Sequence, residues 1–268
     1  MENLLSILPV LATDLSLTDF TFWIGFAAMF AATLFFFNAM NLVADKWKTS
    51  MLVSALITAI AALHYYYMRN AAMEGDITTA YRYVDWILTV PLMCVEFYLI
   101  LKPSGATKSL LWKLIALSVI MLVTGYFGEA GIMGLDAQLW GLASGIAYFL
   151  ILHEVAMGGA AKLAKSAGGN VESAHKMLVK FVFIGWAIYP IGYMAGTDGW
   201  YSGIFSGLAG QMMLFITLVM QLTKSVSVLL FITLLYLSNL TLQKFKSHLR
   251  VTFFLHFIRQ INPQKITC

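Results

Sequence analysis

Charge is scarce in this chain. Only 11% of its 268 residues are Asp, Glu, Lys or Arg, and 60% are hydrophobic. Soluble domains carry about 25% charged residues, so the balance argues for an integral membrane protein before any motif is read. Cysteine is nearly missing as well. Cys94 lies in an apolar run and Cys268 at the end, which gives neither a disulfide framework nor a metal pattern. Zinc, P-loop and dinucleotide motifs are absent, and no metal is expected. The net charge of +4 rests on lysines and arginines in short loops and the tail. They form no basic face, which argues against a nucleic-acid partner.

Long apolar runs occupy the space that charge leaves. Six reach the roughly 20 residues that a helical span needs, at about 21–44, 50–68, 80–101, 109–128, 133–154 and 176–196. A seventh apolar region fills about 204–240. The breaks are short and carry turn chemistry: DKWKTS, NAAMEGD, KPSGATK, GEAG, KSAGGN and GTDGW. The expected fold is an all-α membrane protein, a seven-transmembrane-helix bundle over residues 19–240 with a basic tail at 241–268. Residues 1–18 read as a weak signal-peptide segment, because Glu2 stands where positive charge is expected and the apolar run is brief.

Loop charges set the orientation. Lys46 and Lys48 follow the first span, Lys102 and Lys108 the third, Lys162 and Lys165 the fifth, and Lys244, Lys246 and Arg250 the seventh. The alternate loops carry Glu74, Asp76 and Asp198, with Arg69 as their positive residue. The positive-inside rule then puts the N-terminus outside and the C-terminus in the cytoplasm. That parity requires an odd number of spans, and seven fits.

The third span, RYVDWILTVPLMCVEFYLIL at 82–101, holds an arginine and two carboxylates. Charges at the bilayer centre cost roughly 2.5–3.5 kcal/mol each, so they rarely sit there without a task. At 100° per residue, Asp85 and Thr89 lie about 40° apart, and Asp85 and Glu96 about 20° apart after three turns. One face therefore presents a carboxylate, a hydroxyl one turn deeper, and a second carboxylate roughly 16 Å along the axis. Arg82 lies one turn outside Asp85, within pairing distance of it. Asp85 falls in the extracellular half and Glu96 nearer the cytoplasm. Two acids at different depths, one beside an arginine and one in apolar surroundings, are the parts of a proton relay. The alternative is a structural Arg82–Asp85 pair with Glu96 reaching for the helix end.

These residues resemble the microbial rhodopsins, and among them the proteorhodopsins. RYVDWILTVPL is similar to that family's third helix, GYFGEAGIM to its fourth-to-fifth turn and GWAIYPIGY to its sixth helix, and the resemblance covers about 20 to 200. It implies a light-driven outward proton pump with covalently bound all-trans retinal, not an enzyme, spanning the bacterial inner membrane as a multi-pass protein. Its partners would be protons, the lipid bilayer and further copies of itself in a homo-oligomer. Residue by residue, the resemblance implies that Asp85 is the proton acceptor and counterion and Glu96 the cytoplasmic proton donor. Thr89 is the middle member of the Asp-Thr-Glu triplet that marks outward proton pumps, with Arg82 beside the acceptor. His64 matches a histidine that pairs with the acceptor, although bonding to a backbone carbonyl is its other reading. Trp86, Trp186, Tyr189 and Pro190 match residues lining the retinal pocket, and Met93 falls at a colour-tuning position where Leu or Met accompanies green absorption. Glu129 matches a glutamate near the fourth-to-fifth turn and is given no transport role.

The resemblance breaks at the seventh helix. The family pattern there, approximately YNxxDxxNKxGFG, carries retinal as a Schiff base on its lysine, with an aspartate four residues earlier. This chain reads MMLFITLVMQLTKSVSVLLFITLLYLSNL from Met212, with Lys224 as the candidate retinal attachment and Met220 where the aspartate is expected. Back-translation with AT-leaning codons, read one nucleotide earlier, gives D/N-D-V-I-Y-N-F-G-D-A-I-N-K-I-G-F-G. The aspartate returns opposite Met220 and the lysine opposite Lys224. A nucleotide gained or lost near codons 200 to 212 accounts for the departure, and the tail after about Asn239 is then out-of-frame. Two other functions stay open: a retinal photosensor, which Glu96 argues against, and a non-photoactive seven-helix membrane protein, which the altered seventh helix favours.

Overall fold

The protein is seen here as a computed structural model that describes residues 17–74 and 78–205. Its helices are α1 (Leu17–Ala39), α2 (Asp45–Met73), α3 (Thr79–Leu101), α4 (Lys108–Glu129), α5 (Ala137–Ala156), the short α6 (Gly159–Ala167), α7 (Gly169–Gly196) and α8 (Ser202–Phe205). A single 3₁₀ turn, Lys102–Ser104, follows α3. Six of these helical stretches are long and apolar enough to cross a membrane. Most of the seventh apolar region, with Met220 and Lys224, lies outside the described residues, as do residues 1–16 and the basic tail.

Successive helices pack on one another, α1 on α2, α2 on α3, α3 on α4 and α4 on α5, while α7 closes against α5 and α3. Short turns force this neighbour-to-neighbour order. Contact with α2, α4 and α7 together makes α3 the most enclosed of the described spans. The turns α1–α2, α3–α4 and α5–α7 gather Lys46, Lys48, Lys102, Lys108, Lys162 and Lys165 at one end of the bundle, called here the lysine-rich end. Gly105 closes the 3₁₀ turn there at φ 96°, a left-handed conformation that costs glycine little.

Helix ends differ from the hydropathy reading for physical reasons. DKWKTS is the first turn of α2 rather than a loop: Asp45 sits at the positive end of the helix dipole and pairs with Lys48 at 2.7 Å. KSAGGN is likewise split between two helices. The Glu154 carboxylate accepts from Gly159 N at 2.8 Å and Ala160 N at 3.3 Å, capping α6, and α7 begins at Gly169, well before the apolar run. Hydropathy locates the membrane-buried middle of a helix and misses its polar ends.

Candidate functional site

The buried face of α3 carries Arg82, Asp85, Trp86, Thr89, Met93 and Glu96. This is the face that helical periodicity assembles from the sequence. Asp85 and Thr89 are fully enclosed, and Thr89 Oγ1 donates to the Asp85 backbone carbonyl at 2.9 Å. Tyr65 of α2, also fully enclosed, lies within electrostatic reach of Asp85.

His64 takes the second of its two readings, the bond to a backbone carbonyl rather than a pair with Asp85. Adjacent helix residues point about 100° apart, and Tyr65 takes the inward position. His64 is half-buried and its Nδ1 bonds to the Ile60 carbonyl at 2.9 Å, which makes Nδ1 the donor. The ion pairs of the described residues do not include one between His64 and Asp85.

Arg82 brings a second correction. Its ion pair is with Glu129 at the end of α4, not with Asp85, and its Nη2 also donates to Thr79 Oγ1 at 2.9 Å. Thr79 in turn donates to Glu129 at 3.3 Å, and the guanidinium lies 5.7 Å from the centre of the Trp86 ring. The buried guanidinium thus finds its carboxylate across the α3–α4 interface. The sequence named Glu129 at the fourth-to-fifth turn but not its pairing with Arg82, which no spacing along either helix specifies.

At the other end of the face, buried Glu96 accepts from Ser54 Oγ of α2. Thr58, one turn on from Ser54, bonds to the Ser54 carbonyl at 3.0 Å and lies 2.9 Å from Thr33 Oγ1 of α1. Three hydroxyl residues on two helices thereby back the Glu96 side of α3. Ser54 carries no motif and was not legible from sequence.

A cavity of about 710 Å³ opens against α3, α4, α5 and α7. Arg82, Trp86, Thr89, Met93, Trp186, Tyr189 and Pro190 all line it, while Asp85, Glu96 and His64 do not. Trp86 and Tyr189 meet edge to face with ring centres 4.9 Å apart at 71°. The volume falls within the roughly 300–1,000 Å³ of small-molecule pockets. Gly125 widens the wall, since a Cβ there would meet Tyr83 Oη at 3.1 Å and Ser144 Oγ at 3.3 Å. Among the described residues no group of three or more His, Cys, Asp or Glu could hold a metal ion.

Comparison with known proteins gives this geometry its context. The bacteriorhodopsin-like protein family matches residues 16–219, stopping one residue before Met220. A green-light absorbing proteorhodopsin from Gamma-proteobacterium EBAC31A08 is 43% identical over 188 residues, covering 68% of this chain and 75% of that protein. A blue-light absorbing proteorhodopsin from Gamma-proteobacterium Hot 75m4 is 44% identical over 189 residues, covering 68% and 74%. Among solved structures, Exiguobacterium sibiricum rhodopsin superposes with a TM-score of 0.69 at 31% identity, covering 83% of this chain and 98% of that one. Xanthorhodopsin, described as a light-driven ion pump with dual chromophore, gives 0.67 at 30% identity, covering 81% and 92%. This multi-pass membrane chain therefore belongs to the bacteriorhodopsin-like family.

Proposed function

We propose that this chain is a light-driven outward proton pump of the cell membrane that holds all-trans retinal in the aromatic cavity, with its lysine-rich end in the cytoplasm. The observation that carries the reading is the inward face of α3, where Asp85 and Glu96 are both buried three turns apart. Buried carboxylates are costly in a membrane interior, and two along one path have their natural use in moving protons. Relatives described as light-absorbing proteorhodopsins and as a light-driven ion pump support it.

The cavity suits a polyene. Trp86, Met93, Trp186 and Tyr189 offer it flat and flexible apolar walls, and Lys224, outside the described residues, would hold it covalently. When bound, retinal would supply light absorption and the isomerisation that drives the cycle. The chain's own residues handle the proton. Asp85 accepts it, and the Arg82–Glu129 pair lies on the extracellular side of Asp85 as a fixed charged barrier against return. Glu96 stores a proton under the Ser54 hydroxyl, while Phe97, Ile100 and Leu101 keep cytoplasmic water out. Met93 on the cavity wall sets green absorption.

The full pigment belongs to the restored reading frame, in which an aspartate replaces Met220 and the lysine stays. A second reading, a non-photoactive membrane protein, draws on the family match that stops at residue 219. Visible spectra with added all-trans retinal separate the two. The expected outcome is a green-absorbing band from the frame-restored chain. If neither version forms a visible band, the pump reading falls.

A further inference from the structure

His175 is a buried ionisable residue that the proposed proton path does not use. It lies on α7, 3% exposed, with Nε2 2.7 Å from the carbonyl of Val155 on α5. A carbonyl only accepts, so Nε2 carries the ring proton and Nδ1 is an acceptor. Nδ1 is buried and has no hydrogen-bond partner among the described residues. Such a nitrogen is a net cost to the fold, and packing alone would be better served by an apolar residue. Val155 belongs to the last turn of α5, where carbonyls lack an intrahelical N–H. His175 supplies that missing donor from another helix. Its ring also stands edge to face with Phe97 of α3, centres 5.7 Å apart at 78°. Phe97 directly follows Glu96, and both are buried. Glu96 lies five residues before the end of α3 and His175 six after the start of α7, so each is roughly 8–9 Å inside the lysine-rich end. One side chain joins three helices at the depth of the proposed donor.

We infer that His175 is a positioning residue for reloading that donor. Its bond to Val155 holds α7 over Phe97 and keeps the Glu96 compartment closed to cytoplasmic water until the bond opens. The inference rests on the reading of Glu96 as the proton donor.

The test needs no chromophore. Membranes containing the full chain are moved into D2O in the dark, and deuteration of the Glu96 carboxylic acid is timed by its infrared C=O band, identified by its loss in Glu96→Gln. His175→Phe keeps a ring and removes the donor. His175→Asn keeps an amide too short to reach Val155, and His175→Gln places an amide N–H near the position of Nε2. Deuteration is expected to be about fivefold faster or more in His175→Phe and His175→Asn, the size set by one lost hydrogen bond. His175→Gln is expected to return it to within about twofold of the parent. His175→Asn and His175→Gln decide the matter even if His175→Phe does not fold. Parent-like rates in the Phe or Asn variant, or no rescue by Gln, would overturn the latch and leave the donor reading intact. A spectrum with no band lost in Glu96→Gln would overturn the donor reading, and the latch with it.

Discussion

At the scale of single residues, the proposed path makes Asp85 the proton acceptor. Asp85→Asn puts an amide, which cannot take up the proton, in place of the carboxyl group, so light-driven acidification of the medium by a pigment-forming chain is expected to vanish. Normal pumping by that variant would remove Asp85 from the path. Asp85, Thr89 and Glu96 share a buried face because α3 is regular, and regularity is what a spacing argument uses. The partners Glu129, Ser54 and Tyr65 come from α4 and α2, and no spacing on α3 specifies them. Glu96→Gln is expected to leave the visible band in place and slow the last phase of the photocycle, which flash spectroscopy measures; an unchanged decay would count against the donor role. Glu129→Gln leaves the buried Arg82 guanidinium without its carboxylate. Hydrogen bonds to charged groups contribute about 1.5–3 kcal/mol, and a fall of that size in unfolding stability is expected in detergent. Arg82→Gln with Glu129→Gln should then cost less than the two changes summed.

At the scale of elements, the six described spans were legible from apolar length, while their ends were not. Caps such as Glu154 on α6 depend on where one helix stops beside another, which hydropathy does not register. The α4–α5 junction shows a further constraint invisible in composition. A Cβ added to Gly128 would lie 1.8 Å from Tyr193 Oη and 2.8 Å from Trp140 Cβ. Tyr193 in turn donates to the Ala137 carbonyl at 2.5 Å, tying α7 to the start of α5. Gly128→Ala must displace that tether, and overpacking of this kind costs about 1–3 kcal/mol. Gly145, where a Cβ meets nothing within 4 Å, is the control. Thermal unfolding in detergent is expected to rank Gly128→Ala well below the parent, with Gly145→Ala close to it. Equal midpoints for the two variants would show that the α4–α7 contact is looser than these distances require.

At the scale of the whole molecule, the α3 and α7 cores of the bundle agree with the resemblance read from motifs, and the family match carries that agreement to residue 219. Beyond it, the literal sequence offers Lys224 without the aspartate four residues before. On the proposed reading, the literal chain would leave Asp85 as the carboxylate to balance a cation at Lys224, and the altered side chains would have to repack against the other helices. Misfit in a close-packed interior costs about 1–3 kcal/mol per overpacked site. The chain as written is therefore expected to give little or no pigment, and the frame-restored chain a green-absorbing one. The most direct test is the light-driven pH change of cells supplied with all-trans retinal and expressing the frame-restored chain, its Asp85→Asn variant or the chain as written. The expected result is acidification by the first and none by the second, with the third far weaker than the first. Acidification by the Asp85→Asn variant, or equal pumping by the literal and restored chains, would contradict it.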